Sequence, residues 1–322
     1  KASSYLGITL TKRGTLMNGE PIPLCGVPLS SLDHYLAKLV RGGFHVAICD
    51  QMEMPQAGKI VERRVTQVLT PGTLTDSKLL DAKSPSYLCS IYTITGSQEQ
   101  ALVFTEILTG NIFATVIKSE DQKSLESELS RFLPDEILLI QGNLHGLDLK
   151  LKQAGYQVTV LSESDFQDLN ILKSWLLDQF GENVYLTLQK NFALLCAVGL
   201  IYEYLKKNQA QALNQIKSFQ IFKPEDFLIL DSSTQKNLEL IKNNFDGGRA
   251  NTLFGMLDFS ATSMGSRMIK KWILRPLVRH ELIEQRLDAV QTFFSNIILR
   301  EQLEEILKNI GDFERVVGRI AL

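Results

Sequence analysis

Tyr87-Leu88-Cys89-Ser90-Ile91-Tyr92-Thr93-Ile94-Thr95, Ala101-Leu102-Val103-Phe104-Thr105-Glu106-Ile107-Leu108 and Asn111-Ile112-Phe113-Ala114-Thr115-Val116-Ile117 are three apolar runs in close succession, the last two separated by Thr109-Gly110. Runs of this length, rich in β-branched and aromatic residues and bounded by turn formers, read as strands, so the stretch predicts a β-meander. Helical spacing follows around Ser124–Phe132, then strand patterns at Glu136–Ile140 and Gln157–Leu161, then a long apolar helix from Asn191 to about Lys206. Strands first, then helix and strand in alternation, predict a mixed α/β sheet with helical cover.

Upstream, Ser30 or Ser31 can cap a helix that places Leu32, Tyr35, Leu36, Leu39 and Val40 on one face. Gly42-Gly43 ends it, Phe44, Val46 and Ile48 alternate as in a strand, and a second run from Val61 to Leu69 stops at Thr70-Pro71-Gly72-Thr73. This is a small α/β unit. Its segment Gly19-Glu20-Pro21-Ile22-Pro23-Leu24-Cys25-Gly26-Val27-Pro28 holds three prolines and two glycines and predicts a stiff loop. Downstream the chain is helical, with apolar periodicity over Ser232–Lys242, Met264–Ile273, Glu281–Phe294 and Leu299–Leu322. The pattern is still running at Ala321-Leu322, which predicts a break inside a domain. Cuts at Lys83-Ser84 and Lys207-Asn208 divide the chain into residues 1–83, 84–207 and 208–322.

The 322 residues carry 34 Lys/Arg and 36 Asp/Glu, a net charge of −2 that by itself points to no nucleic-acid partner. The distribution is more telling. Residues 1–83 hold ten bases against seven acids, 84–207 nine against fifteen, and 208–322 fifteen against fourteen. A basic first unit therefore precedes an acidic middle one. Hydrophobic content of 44% suits a globular chain. No secretory signal opens the chain, and its longest apolar stretch, from Asn191 to Tyr202, is too short to span a bilayer. Four scattered cysteines (Cys25, Cys49, Cys89, Cys196) and four histidines without metal-ligand spacing argue against a disulfide framework or a zinc site, and for a reducing, cytoplasmic setting.

A phosphate loop would need Gly at position 53 before Gly58-Lys59 and Ser or Thr after it, where Glu53 and Ile60 stand instead. No G-x-G-x-x-G occurs. Glu106, in a strand before Thr109-Gly110, resembles the first carboxylate of a ribonuclease-H-like nuclease, which needs further acids to hold two metals. Glu120, Asp121, Asp135 and Glu136 are read as solvated acids at turns and helix edges. Basic residues give the positive signal. Lys12-Arg13 and Arg63-Arg64 lie beside strands in the basic unit and suit phosphate neutralisation. Arg267, Lys270, Lys271, Arg275 and Arg279 follow one another without an intervening acid, and 267, 271 and 275 share a helix face, read as a solvated one. A protein-interaction scaffold without DNA contact is a third reading beside the nuclease and the DNA binder.

Taken in order, several runs resemble the MutS family of DNA mismatch-repair proteins: Ile8–Gly14, Pro21–Pro28, Tyr35–Val40, Val46–Gln51, Val61–Val65 and Thr70–Thr73 in the first unit. Leu230–Leu240, Leu257–Arg267, Lys271–Leu277 and Asp312–Arg315 continue the resemblance in the last. The chain departs from the family between Met52 and Val61, and at Leu29-Ser30-Ser31 where an aromatic-His pair is common.

The resemblance implies an incomplete mismatch-binding domain (1–83), a ribonuclease-H-like α/β connector (84–207) and the start of an all-α core and lever domain (208–322). It implies Lys12, Arg13, Arg63 and Arg64 as duplex-backbone contacts, with a Phe-x-Glu wedge expected just before Lys1. It further implies mismatched double-stranded DNA as ligand, a MutL-type partner docking on the connector, and a homodimer. ATP and Mg²⁺ are expected in the full-length family, with no cofactor, metal or catalytic residue in this chain.

Overall fold

The computed structural model describes residues 1–322 except 16–17, 55–60, 77–78, 95, 166–168 and 321–322. In the first unit a short helix α1 (Ala2–Leu6) leads to a hairpin of β1 (Thr11–Thr15) and β2 (Pro21–Leu24), helix α2 (Leu32–Arg41), and a second hairpin of β3 (Val46–Gln51) and β4 (Arg63–Leu69). The proline-rich segment expected as a loop thus contains a strand. Pro21 and Pro23 are tolerated because β2 is an edge strand of a two-stranded ribbon, where missing N–H groups break no second ladder. Helix α2 buries Leu36 and Val40 against Leu69, Leu74 and Leu79, a small core of five buried side chains among the described residues.

The middle unit is a six-stranded sheet. Strands β5 (Leu88–Thr93), β6 (Glu99–Glu106) and β7 (Asn111–Lys118) form the expected antiparallel meander. Helix α3 (Gln122–Phe132), strand β8 (Glu136–Ile140), helix α4 (Leu147–Gln153) and strand β9 (Val158–Leu161) follow. Helices α5 (Leu169–Phe180), α6 (Glu182–Lys190), α7 (Phe192–Asn208) and α8 (Ala212–Gln215) come next. Strand β10 (Ser218–Ile221) lies beyond position 207, yet it pairs parallel with β7 at the sheet edge. The strand order is β10-β7-β6-β5-β8-β9.

The sheet is covered on both faces, which explains why its strands read as nearly continuous apolar runs. Leu88, Ala101, Val103, Ile112, Ala114 and Leu138 face α5 and α7, while Cys89, Leu102, Phe104, Phe113 and Ile137 face α3 and α4. Asn191 caps α7 by accepting from Leu194 N at 3.0 Å. Every residue of α7 from Ala193 to Tyr202 is buried. Ser90 Oγ donates to Ala197 O at 2.6 Å and satisfies its hydroxyl at the dry helix–sheet contact. Among the described residues no single helix is long and apolar enough to cross a membrane; α6 and α7, the one adjacent pair with enough apolar length, bend by 119°.

The last unit holds α9 (Ser232–Asn237), α10 (Leu253–Leu257), α11 (Ser263–Leu274), α12 (His280–Ser295), α13 (Ile297–Lys308) and α14 (Phe313–Ile320). The helix expected over Ser232–Lys242 stops at Asn237. Glu239 turns left-handed at φ 47°, and Asn243 and Asn244 use their side chains to bind loop backbone, which competes with helical pairing. The pattern expected from Leu299 onward is broken at 309–312, where Asp312 accepts from Arg315 N and starts α14.

Candidate nucleic-acid interface

The two basic pairs of the first unit stand on different hairpins. Lys12 and Arg13 lie on β1, exposed along its whole length. Arg63 and Arg64 open β4, opposite Gln51 and Asp50 of β3, and both are exposed. Arg64 leans on its neighbour Glu62 at 3.1 Å, with both side chains more than 60% exposed, a pairing of little energetic weight. Thr66 donates to Asp50 at 2.7 Å, so the nearest strand acid is already engaged. Among the described residues no shared ladder joins the two hairpins. The structure therefore presents the four cations to solvent as two separate pairs. Positions 55–60, where the sequence departs from the family, lie outside the described residues.

The basic helix is a different case, and the reading of a solvated face is corrected. Helix α11 is packed on the middle unit and on the segment joining the first two units. Arg267 is 6% exposed and grips Asp312 through both carboxylate oxygens, at 2.6 and 2.8 Å. It also reaches Glu314 at 2.8 Å and the carbonyl of Ala82 at 2.9 Å. Lys270 donates to Ser84 Oγ at 2.8 Å. Lys271 stands 4.5 Å from the centre of the Phe113 ring, and Arg275 lies 3.4 Å over Phe132. Arg279 alone of the five stays exposed. Up to Arg275 the positive stretch is received by distant carboxylates, aromatic faces, carbonyls and a serine hydroxyl.

Of the four acids expected at the surface, Glu120, Asp121 and Asp135 are exposed and one is not. Glu136 is fully buried, not solvated. Its carboxylate accepts from Thr70 (2.7 Å), Gly72 N (2.9 Å), Thr159 (2.6 Å) and Tyr204 (2.7 Å), with His45 Nε2 at 3.2 Å. Burial pushes this carboxyl upward, but the hydrogen bonds from His45, Thr159, Thr70 and Tyr204 outweigh it and hold the group below its ordinary value. In return, the hydrogen bond to Glu136 raises the His45 imidazole above 6.5. These groups tie the first unit to the middle one. No sequence motif announces the cluster; the only signal is an acid leading the wholly apolar strand Glu136-Ile137-Leu138-Leu139-Ile140.

Asp135 stays exposed at the start of the strand, as expected, and accepts from Ser86 Oγ at 2.8 Å; crowding by the surrounding protein pushes its carboxyl up to about 6. Glu106 is 7% exposed, and burial raises its carboxyl, opposed by Thr109, Arg315 and Arg267. Among the described residues no three His, Cys, Asp or Glu side chains gather as a metal site. Nothing supports a two-metal nuclease at Glu106.

Three family descriptions match in the order expected of the fold: MutS domain I over residues 1–78, MutS domain II over 86–217 and MutS domain III over 233–322. The chain belongs to the MutS family. The DNA mismatch repair protein MutS of Desulforamulus reducens is 37% identical over 99% of this chain, and that of Ruminiclostridium cellulolyticum 36% identical over all of it. The same protein of Clostridium tetani is 34% identical over 99%. The chain spans about 37% of the length of the first two relatives and 35% of the third. In MutS terms, the exposed basic hairpins belong to domain I, the six-stranded sheet to domain II, and the buried cationic helix α11 to domain III. Glu136 marks the seam between domains I and II, and α11 the seam between II and III.

Proposed function

We propose that this chain supplies duplex-backbone contacts and interdomain relay in DNA mismatch recognition. Domain I, taken as residues 1–83, faces mismatched double-stranded DNA; residues 84–207 act as connector; residues 208–322 begin the core and lever. The observation that carries the reading is the ordered match to MutS domains I, II and III. Lys12, Arg13, Arg63 and Arg64 make the phosphate contacts: they are exposed, whereas the cations of the basic stretch around α11 are, but for Arg279, turned into the fold. Phosphate contacts fix position without reading sequence, so mispair preference comes from deformability of the step, exploited by a wedge.

The chain itself turns over no nucleotide in this reading; ATP and Mg²⁺ serve other parts of the protein. A MutL-type partner docks on the connector, the working form is a homodimer, and the setting is the cytoplasm. The test is a protein carrying this chain together with the remaining length of its relatives. It should bind a mismatched duplex more tightly than the matched one, and equal affinity for the two would overturn the proposal.

A further inference from the structure

The seam between domains II and III holds a pocket of about 320 Å³, partly open to solvent, within the range of about 300–1,000 Å³ typical of small-molecule sites. Five cationic side chains line it: Arg131, Lys242, Lys270, Lys271 and Arg275. Only two carboxylates share the wall, Asp81 and Asp135. The cations are unequally satisfied. Arg131 pairs with Glu128 and donates to Leu228 O at 3.2 Å, and Lys270 donates to Ser84 Oγ at 2.8 Å. Lys271 and Arg275 have aromatic faces, with only the Tyr87 hydroxyl as a polar partner for Arg275. Among the described residues no carboxylate lies within ion-pair distance of Lys242, Lys271 or Arg275.

Arg275 is 6% exposed and its Nε has no hydrogen-bond partner; the Nε of Arg131, at 2% exposure, has none either. Burying a cation costs several kcal/mol unless an anion and hydrogen bonds repay it, and a cation–π contact returns only about 0.5–2 kcal/mol. Burial and the neighbouring Arg275 push the Lys271 ammonium down to about 8, only partly opposed by the more distant carboxylates Glu106 and Glu314. The missing element is a compact anion with several acceptors. Arginine forks and lysine point charges together are the donor set that phosphate oxygens take.

We propose that this pocket is a binding site for a small phosphate oxyanion, held by Lys270 and Lys271 of α11 and by Arg275 just after it, with Lys242 at its side. The anion bridges donors of domain III and the Arg131 wall of domain II, so its binding fastens the two domains together. The site is separate from the exposed hairpins proposed to face DNA, and it stands or falls independently of that reading.

The experiment titrates the whole chain with orthophosphate at constant ionic strength, sodium chloride being withdrawn to compensate, and follows heat of binding and thermal unfolding. Glycerol phosphate in a parallel arm separates a free ion from a phosphate ester: binding of orthophosphate alone assigns the free ion, and equal binding of both assigns the phosphate group of an ester. One saturable site is expected, with the melting temperature rising with phosphate concentration as ligand linkage requires. Lys270→Gln and Lys271→Gln should each weaken binding at least tenfold, and Lys190→Gln, on the exposed end of α6, should not. Should the α11 variants fail to fold, the wild-type chain still decides. Phosphate should slow amine acetylation of Lys270 and Lys271 at least fivefold, read by mass spectrometry, and leave Lys190 unaffected. A phosphate response no larger than that of chloride, unchanged affinity in folded α11 variants, or no protection of those lysines would overturn the site.

Discussion

At the scale of single residues, Glu136 shows how an ion survives without solvent. Two hydroxyls and a backbone N–H from distant parts of the chain, together with Tyr204 and His45, replace its hydration. Removing the carboxylate leaves those donors facing one another in a dry seam. Glu136→Ala should therefore cost about 3–5 kcal/mol, measured by urea unfolding of the whole chain. The linked imidazole sets a pH signature. Because the folded His45 value lies above 6.5, its contribution is fully present below about pH 6.5 and fades as pH rises through the folded value. Glu136, held below its ordinary 4.5, contributes above about that pH and loses its contribution as pH falls through the folded value. The stability gap between wild type and His45→Gln should accordingly be widest between about pH 5 and 6 and shrink by pH 9. None of this was legible locally. Position 136 looks like a turn-adjacent acid, and Thr70 and Tyr204, 66 and 68 residues away in sequence, reveal themselves only after folding.

At the scale of elements, periodicity was a good guide where one face decides the structure. The meander, α2, α3, α7, α11 and α12 were all readable, since burial selects period 2 or 3.6 directly. Helix α5 was not read, because apolar residues surround much of Leu169–Phe180 and blur its stripe, and α9 was overread because asparagine side chains end it early. The cationic face of α11 was misread for a related reason: charge in sequence carries no sign of the aromatic rings that will cover it. Close approach between elements gives a sharp expectation. A Cβ on Gly72 would sit 2.6 Å from Leu88 Cδ1 and 2.9 Å from Glu136 Cβ. Gly72→Ala should thus destabilise by about 1–3 kcal/mol through the same seam as Glu136→Ala. Combining the two should give less than the sum in a double-mutant cycle, and strict additivity would separate the glycine from the carboxylate.

At the scale of the whole molecule, the short segment between domains I and II is held by domain III. Arg315 donates to the carbonyls of Asp81 and Ser84, Arg267 to that of Ala82, and Lys83 meets the buried carboxylate of Asp258 at 3.5 Å. Domain I is thereby tied to the core through residues 81–84 as well as through the sheet of domain II. Arg315→Met should free this strap, speeding proteolysis between positions 81 and 84 severalfold while leaving the six-stranded sheet protected in hydrogen exchange. The division into a basic first unit, an acidic middle and a helical end was visible in the sequence, because charge and periodicity change along the chain. The strap was not, because its donors lie on side chains that pattern alone places in solvent.

The same molecule-wide charge layout carries the central claim, that the exposed pairs Lys12-Arg13 and Arg63-Arg64 meet duplex phosphates. The direct measurement is the salt dependence of duplex binding by a protein carrying this chain with the rest of its relatives' length, before and after all four positions are changed to Gln. Each lost phosphate contact lowers the slope of log affinity against log salt by about 0.9. The account expects a slope shallower by about 3 to 4, with the fold unchanged. An unchanged slope in a folded variant would contradict it.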